Sequence, residues 1–238
     1  VMPKLLIKAF LSSEDKNFFE HSGIDPASLM NAAINNLLNL FNNKRPRGAS
    51  TITQQVAKNF LLSNELSLER KIKEAILAFR IEKAFSKNRI LELYLNEIYL
   101  GMGSYGVAAA ALNYFDKSLD ELTVEEVAYL AALPKAPNNY HPVRKKSAAT
   151  ARRNWVIQKM HENGFISKTT MELAQSIDLK TKPRSETEFV MPNILSKMCV
   201  ETLFQNLEVH NYMVVDYLCV RRLILLYRKL QTKLSKMV

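Results

Sequence analysis

Apolar residues recur at intervals of three and four positions along most of this chain, which is the spacing of amphipathic helices. Strict alternation of apolar and polar residues, the mark of half-buried strands, is almost missing. Helix boundary signals agree: Asp25 before Pro26 is an N-cap pair, and a helix capped by Ser86 ends before Gly101. The pattern therefore predicts an all-α fold.

Two of the predicted helices carry clear apolar stripes. The stripe that follows Asp25 consists of Leu29, Met30, Ala33, Ile34, Leu37, Leu38 and Phe41. The stripe of a helix opened by Ser67 consists of Leu68, Ile72, Ile76 and Phe79. A polar and basic loop containing Pro46 and Gly48 breaks the first of these helices, and a new helix begins near Thr51.

Later segments follow the same helical pattern. Thr123 and Glu126 form a capping box for one helix, and residues 148–162 form a last clear helix closed by Gly164. His141 lies in a loop and has no second histidine at metal-binding spacing. The basic pairs and runs at residues 144–146 and 152–153 are interpreted as solvated or membrane-facing surface.

Composition narrows the class of protein. With 238 residues and 47% hydrophobic side chains, the chain can fill one sizeable core or two lobes. Its formal charge of +10 favours a polyanionic partner: nucleic acid, an anionic membrane or a phosphate-bearing substrate. Both cysteines, Cys199 and Cys219, lie near the C-terminus, so the main body has neither a disulfide framework nor a cysteine metal site.

The stretch S-E-D-K-N-F-F-E-H-S-G-I-D contains Glu14 and Asp15 beside aromatic residues and a histidine. One interpretation is the charged first turn of a helix, where acids suit the positive end of the dipole. The alternative is a site in which Asp15, Phe18 and His21 share a face. An acid beside aromatic surface is partly desolvated, and this raises its pKa toward the range of a general base.

Two further stretches carry clustered polar groups. The run R-G-A-S-T-I-T-Q-Q-V-A-K-N-F contains small residues and many uncharged hydrogen-bonding groups, which either cap a helix at Ser50 or Thr51 or bind sugar and phosphate oxygens. In S-L-E-R-K-I-K-E, the charges of Arg70, Lys71 and Glu74 share one helical face. They form either a solvated ion-pair ladder or a pyrophosphate clamp.

The order and spacing of these motifs resemble the peptidoglycan glycosyltransferases, found in class A penicillin-binding proteins and as monofunctional transglycosylases. The resemblance covers about residues 6–167. It rests on E-D-x-x-F-x-x-H-x-G, G-A-S-T-I-T-Q-Q, R-K-x-x-E, I-L-E-x-Y-L-N-x-I-Y-L-G, L-A-A-L-P-x-A-P and A-R-R-N-W-V. It implies a lysozyme-like, two-lobed, all-α fold whose smaller lobe faces the membrane.

The resemblance also implies a reaction: an inverting glycosyltransferase polymerises lipid II into β-1,4-linked glycan and releases undecaprenyl pyrophosphate. Glu14 would be the general base on the acceptor 4-hydroxyl, and Glu74 would assist at the leaving pyrophosphate. The cations that neutralise this group would be Lys58, Arg70 and Lys71. The family positions that shape the donor and acceptor sites are Asp15, Phe18, His21, Thr51, Gln55 and Asn59. No cofactor is required, with a divalent metal such as Mg²⁺ at the pyrophosphate as an open alternative.

The expected partners are lipid II, the growing glycan strand, the membrane surface and the cell-wall synthesis machinery, with no nucleic acid. The expected location is the outer, periplasmic face of the bacterial cytoplasmic membrane. No apolar run of about 18 or more residues is present, so we expect no membrane anchor or signal within this sequence.

The predicted domain organisation is a glycosyltransferase domain at residues 1–186 and an atypical tail at 187–238. Residues 191–238 contain no Ala and no Gly, unlike the rest of the chain. Compared with the family, we interpret the chain as truncated at both ends, without the transmembrane anchor and the transpeptidase domain. A reading-frame slip near residues 189–191 is one hypothesis for the tail, and it predicts poor order there.

Three other functions remain open from the sequence. The chain could be an inactive, truncated fragment of a penicillin-binding protein. A lysozyme-like glycan hydrolase would also use a glutamate on a helical scaffold, but it releases no pyrophosphate and has no need of the clamp. A basic helical nucleic-acid-binding protein has only the positive charge in its favour.

Overall fold

The computed structural model describes residues 2–41, 48–61 and 68–182. This part of the chain is helical and contains no strand, only an isolated bridge between Tyr99 and Tyr105. Its α-helices are α1 (Lys4–Glu14), α2 (Pro26–Phe41), α3 (Ile52–Leu61), α4 (Leu68–Ala84), α5 (Lys87–Glu97), α6 (Val107–Phe115), α7 (Val124–Ala132), α8 (Lys146–Glu162) and α9 (Lys168–Ser176). The predicted all-α class is thus confirmed for the described residues.

Three of the sequence predictions concern segments outside the described residues. They are the loop around Pro46, the helix start at Ser67 and the tail at residues 187–238. They stay predictions.

The predicted helix caps are present. The backbone N–H of Ser28 donates to Asp25 at 3.1 Å, which caps α2, and the Ser86 hydroxyl accepts from the N–H of Arg89 at the start of α5. Thr123 forms the predicted capping box at the start of α7. These local signals place the helix starts because they satisfy backbone N–H groups that have no partner inside the helix.

The core of the described residues is formed by two groups of helices. Helices α1, α7 and α8 pack on one another with α9 against α7 and α8, while α3 packs on α4 and α5. Helix α6 contacts α5 and α7. The rings of Phe10 in α1 and Tyr94 in α5 meet edge to face at 6.2 Å and are both buried, so they join the two groups.

The apolar stripes of α2 and α4 do not face this core. Ile72, Ile76 and Phe79 of α4 are 61%, 49% and 46% exposed, and Met30 and Ile34 of α2 are more than half exposed. An amphipathic helix usually buries its apolar face. Helix α4 instead buries Arg70 and Glu74, and none of the described side chains of α2 is buried. Within residues 2–41, 48–61 and 68–182, no helix is long and apolar enough to span a bilayer.

Candidate active site

Glu14 is the last residue of α1, and Asp15 follows it as the C-cap. This location contradicts the interpretation of the acidic pair as a charged first turn. The C-terminal end of a helix carries negative partial charge, so an acid there is electrostatically unfavourable. The placement of Glu14 therefore opposes local stability, which is typical of residues kept for function.

The Glu14 carboxylate is held by one hydrogen bond from α3. The Gln55 side-chain amide donates to it at 2.9 Å, and the Tyr94 hydroxyl lies 3.4 Å from the Gln55 amide oxygen. Burial raises the pKa of Glu14, while the Gln55 hydrogen bond and the charges of Arg152 and Lys135 act to lower it. A carboxylate that is desolvated yet held in place suits the task of accepting a proton.

Asp15 joins three segments that are separate in sequence. Its carboxylate accepts from His21 Nε2 at 3.0 and 3.1 Å and from the backbone N–H of Ile52 at 2.9 Å. The backbone N–H of Gly23 donates to His21 Nδ1, so the proton of this imidazole lies on Nε2. Asp15 thus holds the start of α3 against the end of α1, beside Glu14.

Phe18 and His21 lie close together as the sequence predicted, but through a turn between α1 and α2 instead of along a helix face. The Phe18 ring is buried and meets the His21 ring edge to face at 6.2 Å. The Nζ atom of Lys87 lies 4.4 Å from the Phe18 ring centroid. These contacts hold the segment that follows Glu14 in one conformation.

The start of α3 is fixed by its own polar residues. The Thr51 hydroxyl donates to the carbonyl of Gly23 at 2.6 Å and accepts from the N–H of Gln54. Thr51 is buried, so its role is to anchor the site. Lys58 and Asn59 lie farther along α3, and both side chains are exposed. Among the described residues, neither of these two side chains forms a hydrogen bond or an ion pair.

Arg70, Lys71 and Glu74 form a compact charged cluster on α4, in which Arg70 and Glu74 are buried and Lys71 is exposed. Arg70 Nε lies 3.0 Å from one Glu74 carboxylate oxygen, and Lys71 Nζ contacts the other. Glu74 is only 1% exposed and Arg70 is also buried, so the solvated-ladder interpretation is wrong. Arg70 and Glu74 are thus turned inward, while Lys71 and the apolar stripe of α4 face outward.

Both parts of the site contact the same stretch of α3. Lys71 Nζ donates to the Ser50 hydroxyl at 2.9 Å, two residues before the start of that helix. Ile52 and Gln55, in its first turn, contact Asp15 and Glu14. The predicted base and the predicted clamp are therefore joined by one short structural element.

Sequence reasoning missed a second polar network beside the site. The side chain of Lys87 binds Glu82 at 2.7 Å and the carbonyl of His21, and the Thr53 hydroxyl donates to Glu82. Thr53 is fully buried. The only sequence signal for this network was the unusual density of polar side chains after Thr51. The sequence did not indicate which residues these side chains would contact.

The basic pair at residues 152–153 was also misjudged. Arg153 is fully buried, and its guanidinium binds the side chain of Asn154 and the carbonyl of Gln175. Arg152 is half-buried. Because α8 packs against both α7 and α9, even a strongly charged helix loses part of its polar surface to neighbouring helices.

The described residues do not form a cage for Mg²⁺. No group of three or more His, Cys, Asp and Glu side chains within these ranges could hold a metal ion. At the clamp, Glu74 is the buried carboxylate, and its two oxygens face Arg70 and Lys71. A Mg²⁺ ion at this position would need oxygen ligands in addition to Glu74.

Comparison with known proteins gives a consistent set of matches. A family model described as transglycosylase matches residues 1–161. Penicillin-binding protein 1A of Rickettsia typhi is 51% identical over 189 residues, which cover 79% of this chain and 24% of that relative. Penicillin-binding protein 1A of Escherichia coli is 50% identical over 166 residues, which cover 70% and 19%. This chain spans about a quarter or less of the length of these relatives.

A solved structure is also similar. The crystal structure of penicillin-binding protein 1A from Haemophilus influenzae matches with 26% sequence identity and a TM-score of 0.44. The match covers 86% of this chain and 20% of that chain.

Proposed function

Because this chain belongs to the transglycosylase family, we propose that it is a peptidoglycan glycosyltransferase. It polymerises lipid II into β-1,4-linked glycan and releases undecaprenyl pyrophosphate. The observation that carries the proposal is the pairing of a desolvated carboxylate, Glu14, with the two cations Arg70 and Lys71 held on the buried Glu74. Both groups contact the start of α3 or the residues just before it.

Glu14 acts as the general base. Its carboxylate takes the proton of the acceptor 4-hydroxyl as that oxygen forms a bond to the anomeric carbon of the donor. The bond between the anomeric carbon and the phosphate oxygen breaks, and its electron pair leaves with the pyrophosphate. Attack from the face opposite the leaving group inverts the anomeric centre.

The cluster on α4 receives the leaving group. Arg70 and Lys71 supply positive charge where negative charge develops, and the nearly buried Glu74 holds both cations in place before substrate arrives. The exposed ammonium of Lys58 on α3 adds a further charge that substrate can reach. This preorganisation separates the proposed reaction from glycan hydrolysis, which releases no pyrophosphate.

The membrane surface is the proposed partner of α2 and α4. Their apolar stripes are exposed, and the chain carries a net charge of +10. Apolar side chains that enter the lipid boundary, together with lysines and arginines near anionic headgroups, bind a bilayer surface. We accordingly propose that the chain works at the outer face of the cytoplasmic membrane, on lipid II and the growing glycan, together with the cell-wall synthesis machinery.

The test is polymerisation of labelled lipid II in detergent by the chain and by a Glu14→Gln variant. We expect glycan strands from the parent and a loss of about 100-fold or more in the variant, which keeps the shape but not the base. The matched control is Glu97→Gln, because Glu97 is also the last residue of its helix and burial also raises its pKa.

The control should polymerise at the parental rate. Glycan made by Glu14→Gln at that rate would show that the base is another group. A parent chain that is folded but makes no glycan would refute the proposed activity for this chain.

A further inference from the structure

Lys87, the first residue of α5, holds the segment that follows Glu14. Its ammonium donates to the backbone carbonyl of His21 at 2.5 Å and lies over the Phe18 ring, 4.4 Å from the centroid. It also donates to a carboxylate oxygen of Glu82 at 2.7 Å. Two of the three N–H donors of the ammonium are thus engaged by oxygen, and its charge faces an aromatic ring.

These contacts close into a ring, which we call the polar ring, and its members in order are Lys87, Glu82, Thr53, Ile52, Asp15 and His21. The Thr53 hydroxyl donates to the Glu82 oxygen that also binds the ammonium. Asp15 accepts from the imidazole of His21 and from the N–H of Ile52. Because Thr53 follows Ile52 in the chain, the ring is closed.

The polar ring includes or adjoins both attachments of Glu14. Asp15, a member of the ring, is bonded to Glu14 in the chain. Gln55, which donates to the Glu14 carboxylate at 2.9 Å, lies in the first turn of α3 beside Ile52 and Thr53. The backbone and the side chain of Glu14 are therefore held by two parts of one ring. Opening the ring frees these parts to move relative to each other, which changes the direction of the carboxylate.

The polar ring is largely removed from water. Thr53 is fully buried, and the side chains of Glu82 and Lys87 are only 8% and 20% exposed. A buried ion pair adds little net stability, because the cost of desolvation offsets the attraction. A buried network whose polar groups are satisfied instead rigidifies the segments that it joins. The effect of the ring is therefore mainly on geometry.

We propose that Lys87 is a positioning residue for Glu14, acting through the polar ring. It keeps the carboxylate in the direction from which the acceptor hydroxyl is reached, and it needs no contact with substrate. This inference rests on the proposed function, because the role of Glu14 as a base gives that direction its purpose. A misplacement of about 1 Å at a reacting group costs roughly 100-fold in rate.

The first test measures kcat and KM for lipid II polymerisation by the parent, Lys87→Met and Thr53→Val. Methionine keeps much of the length of lysine without its donors, and valine keeps the shape of threonine without its hydroxyl. We expect each variant to lower kcat by roughly ten- to hundredfold and to change KM by less than about threefold. The double variant should lose about as much as Lys87→Met alone, because both changes open the same ring. Thr53→Val adds no unpaired charge, so it also serves if Lys87→Met does not fold.

Two control variants accompany this test. Thr53→Ser keeps the hydroxyl and should retain most of the parental kcat. Lys117→Met removes the same charge from an ion pair with Glu126 at 2.7 Å, outside the polar ring, and should keep the parental kcat. A raised KM with unchanged kcat in Lys87→Met would assign this lysine to substrate binding and overturn the proposal. Equal losses of kcat in Lys87→Met and Lys117→Met would also overturn it.

A second measurement is independent of catalysis. In the protein labelled with ¹⁵N at histidine, the Nε2 proton of His21 is identified by NMR through its loss in His21→Gln. We expect this proton to exchange with water about tenfold faster in Lys87→Met than in the parent and in Lys117→Met, while the amide protons of α7 and α8 keep their parental rates. If the parent makes no glycan, the proposed function fails, yet this exchange still decides whether Lys87 holds the segment after Glu14. Unchanged exchange of the His21 proton would overturn the proposal.

Discussion

Replacement of Glu14 by glutamine should stabilise the protein at neutral pH while it removes activity. Glu14 ends α1, where an ionised acid meets the negative end of the helix dipole. Such interactions amount to about 0.3–1 kcal/mol at a surface and up to about 2 kcal/mol when partly buried. The nearby charges of Arg152 and Lys135 offset part of this cost. The hydrogen bond from Gln55 survives, because the oxygen of the new amide can accept it.

We therefore expect a net gain of about 1 kcal/mol in the free energy of unfolding, which for a domain of this size raises Tm by about 2–4 °C. The pH dependence has a definite sign. Burial raises the folded-state pKa of Glu14 above its ordinary value of 4.5, so the stability linked to its proton is present below 4.5 and is lost as the pH rises through the folded pKa. The advantage of the variant should consequently appear above that folded pKa and vanish below about pH 4.5.

The assay is thermal unfolding of the parent and the variant at a series of pH values from about 8 to about 4.5. The matched control is Glu162→Gln, because Glu162 also ends its helix but is exposed, and Lys159 lowers its pKa. That control should gain no stability at neutral pH. The reasoning would be refuted if Glu14→Gln were less stable than the parent at pH 8, or if its advantage did not depend on pH.

Three further predictions concern stability and surface. Asp15→Asn should lower the free energy of unfolding, measured by heat or denaturant, by about 1–3 kcal/mol, because the new amide N–H₂ would face the N–H of His21. Unchanged stability would contradict this contact. Gly106→Ala should lower the free energy of unfolding by about 2 kcal/mol or more, because φ is +79° and a Cβ would lie 2.3 Å from the carbonyl oxygen of Asn96. A variant as stable as the parent would show that this turn relaxes. Ile76→Ser should weaken sedimentation with anionic vesicles with little change in Tm, because the side chain is 49% exposed; unchanged vesicle binding would argue against α4 as the contact.

Local signals in the sequence were sufficient for most of the helices. Asp25, Ser86 and Thr123 cap their helices as predicted. These features depend on groups a few residues apart, so the sequence contains all of the required information. The family match agrees with the predicted lysozyme-like glycosyltransferase fold.

Local reasoning left two interpretations open for the motifs on α1 and on α4. A helix start was one interpretation of the acidic pair, although Glu14 ends a helix whose buried face, with Leu6 and Phe10, was not recognised. A solvated ladder was one interpretation of the residues around Glu74, although Glu74 and Arg70 are buried. Hydrophobic periodicity identifies the apolar and the polar face of a helix. It does not show which face packs against the rest of the protein and which is left for another partner.

The sequence by itself determined the helical class, the caps, the motif order and the identity of the candidate base and clamp residues. Only the tertiary structure decided that Gln55 holds Glu14 and that Asp15 joins His21 to the start of α3. The physical reason is distance along the chain. Helix formation is governed by neighbours within about four residues, whereas burial and electrostatic fields depend on side chains brought together by packing from anywhere in the chain.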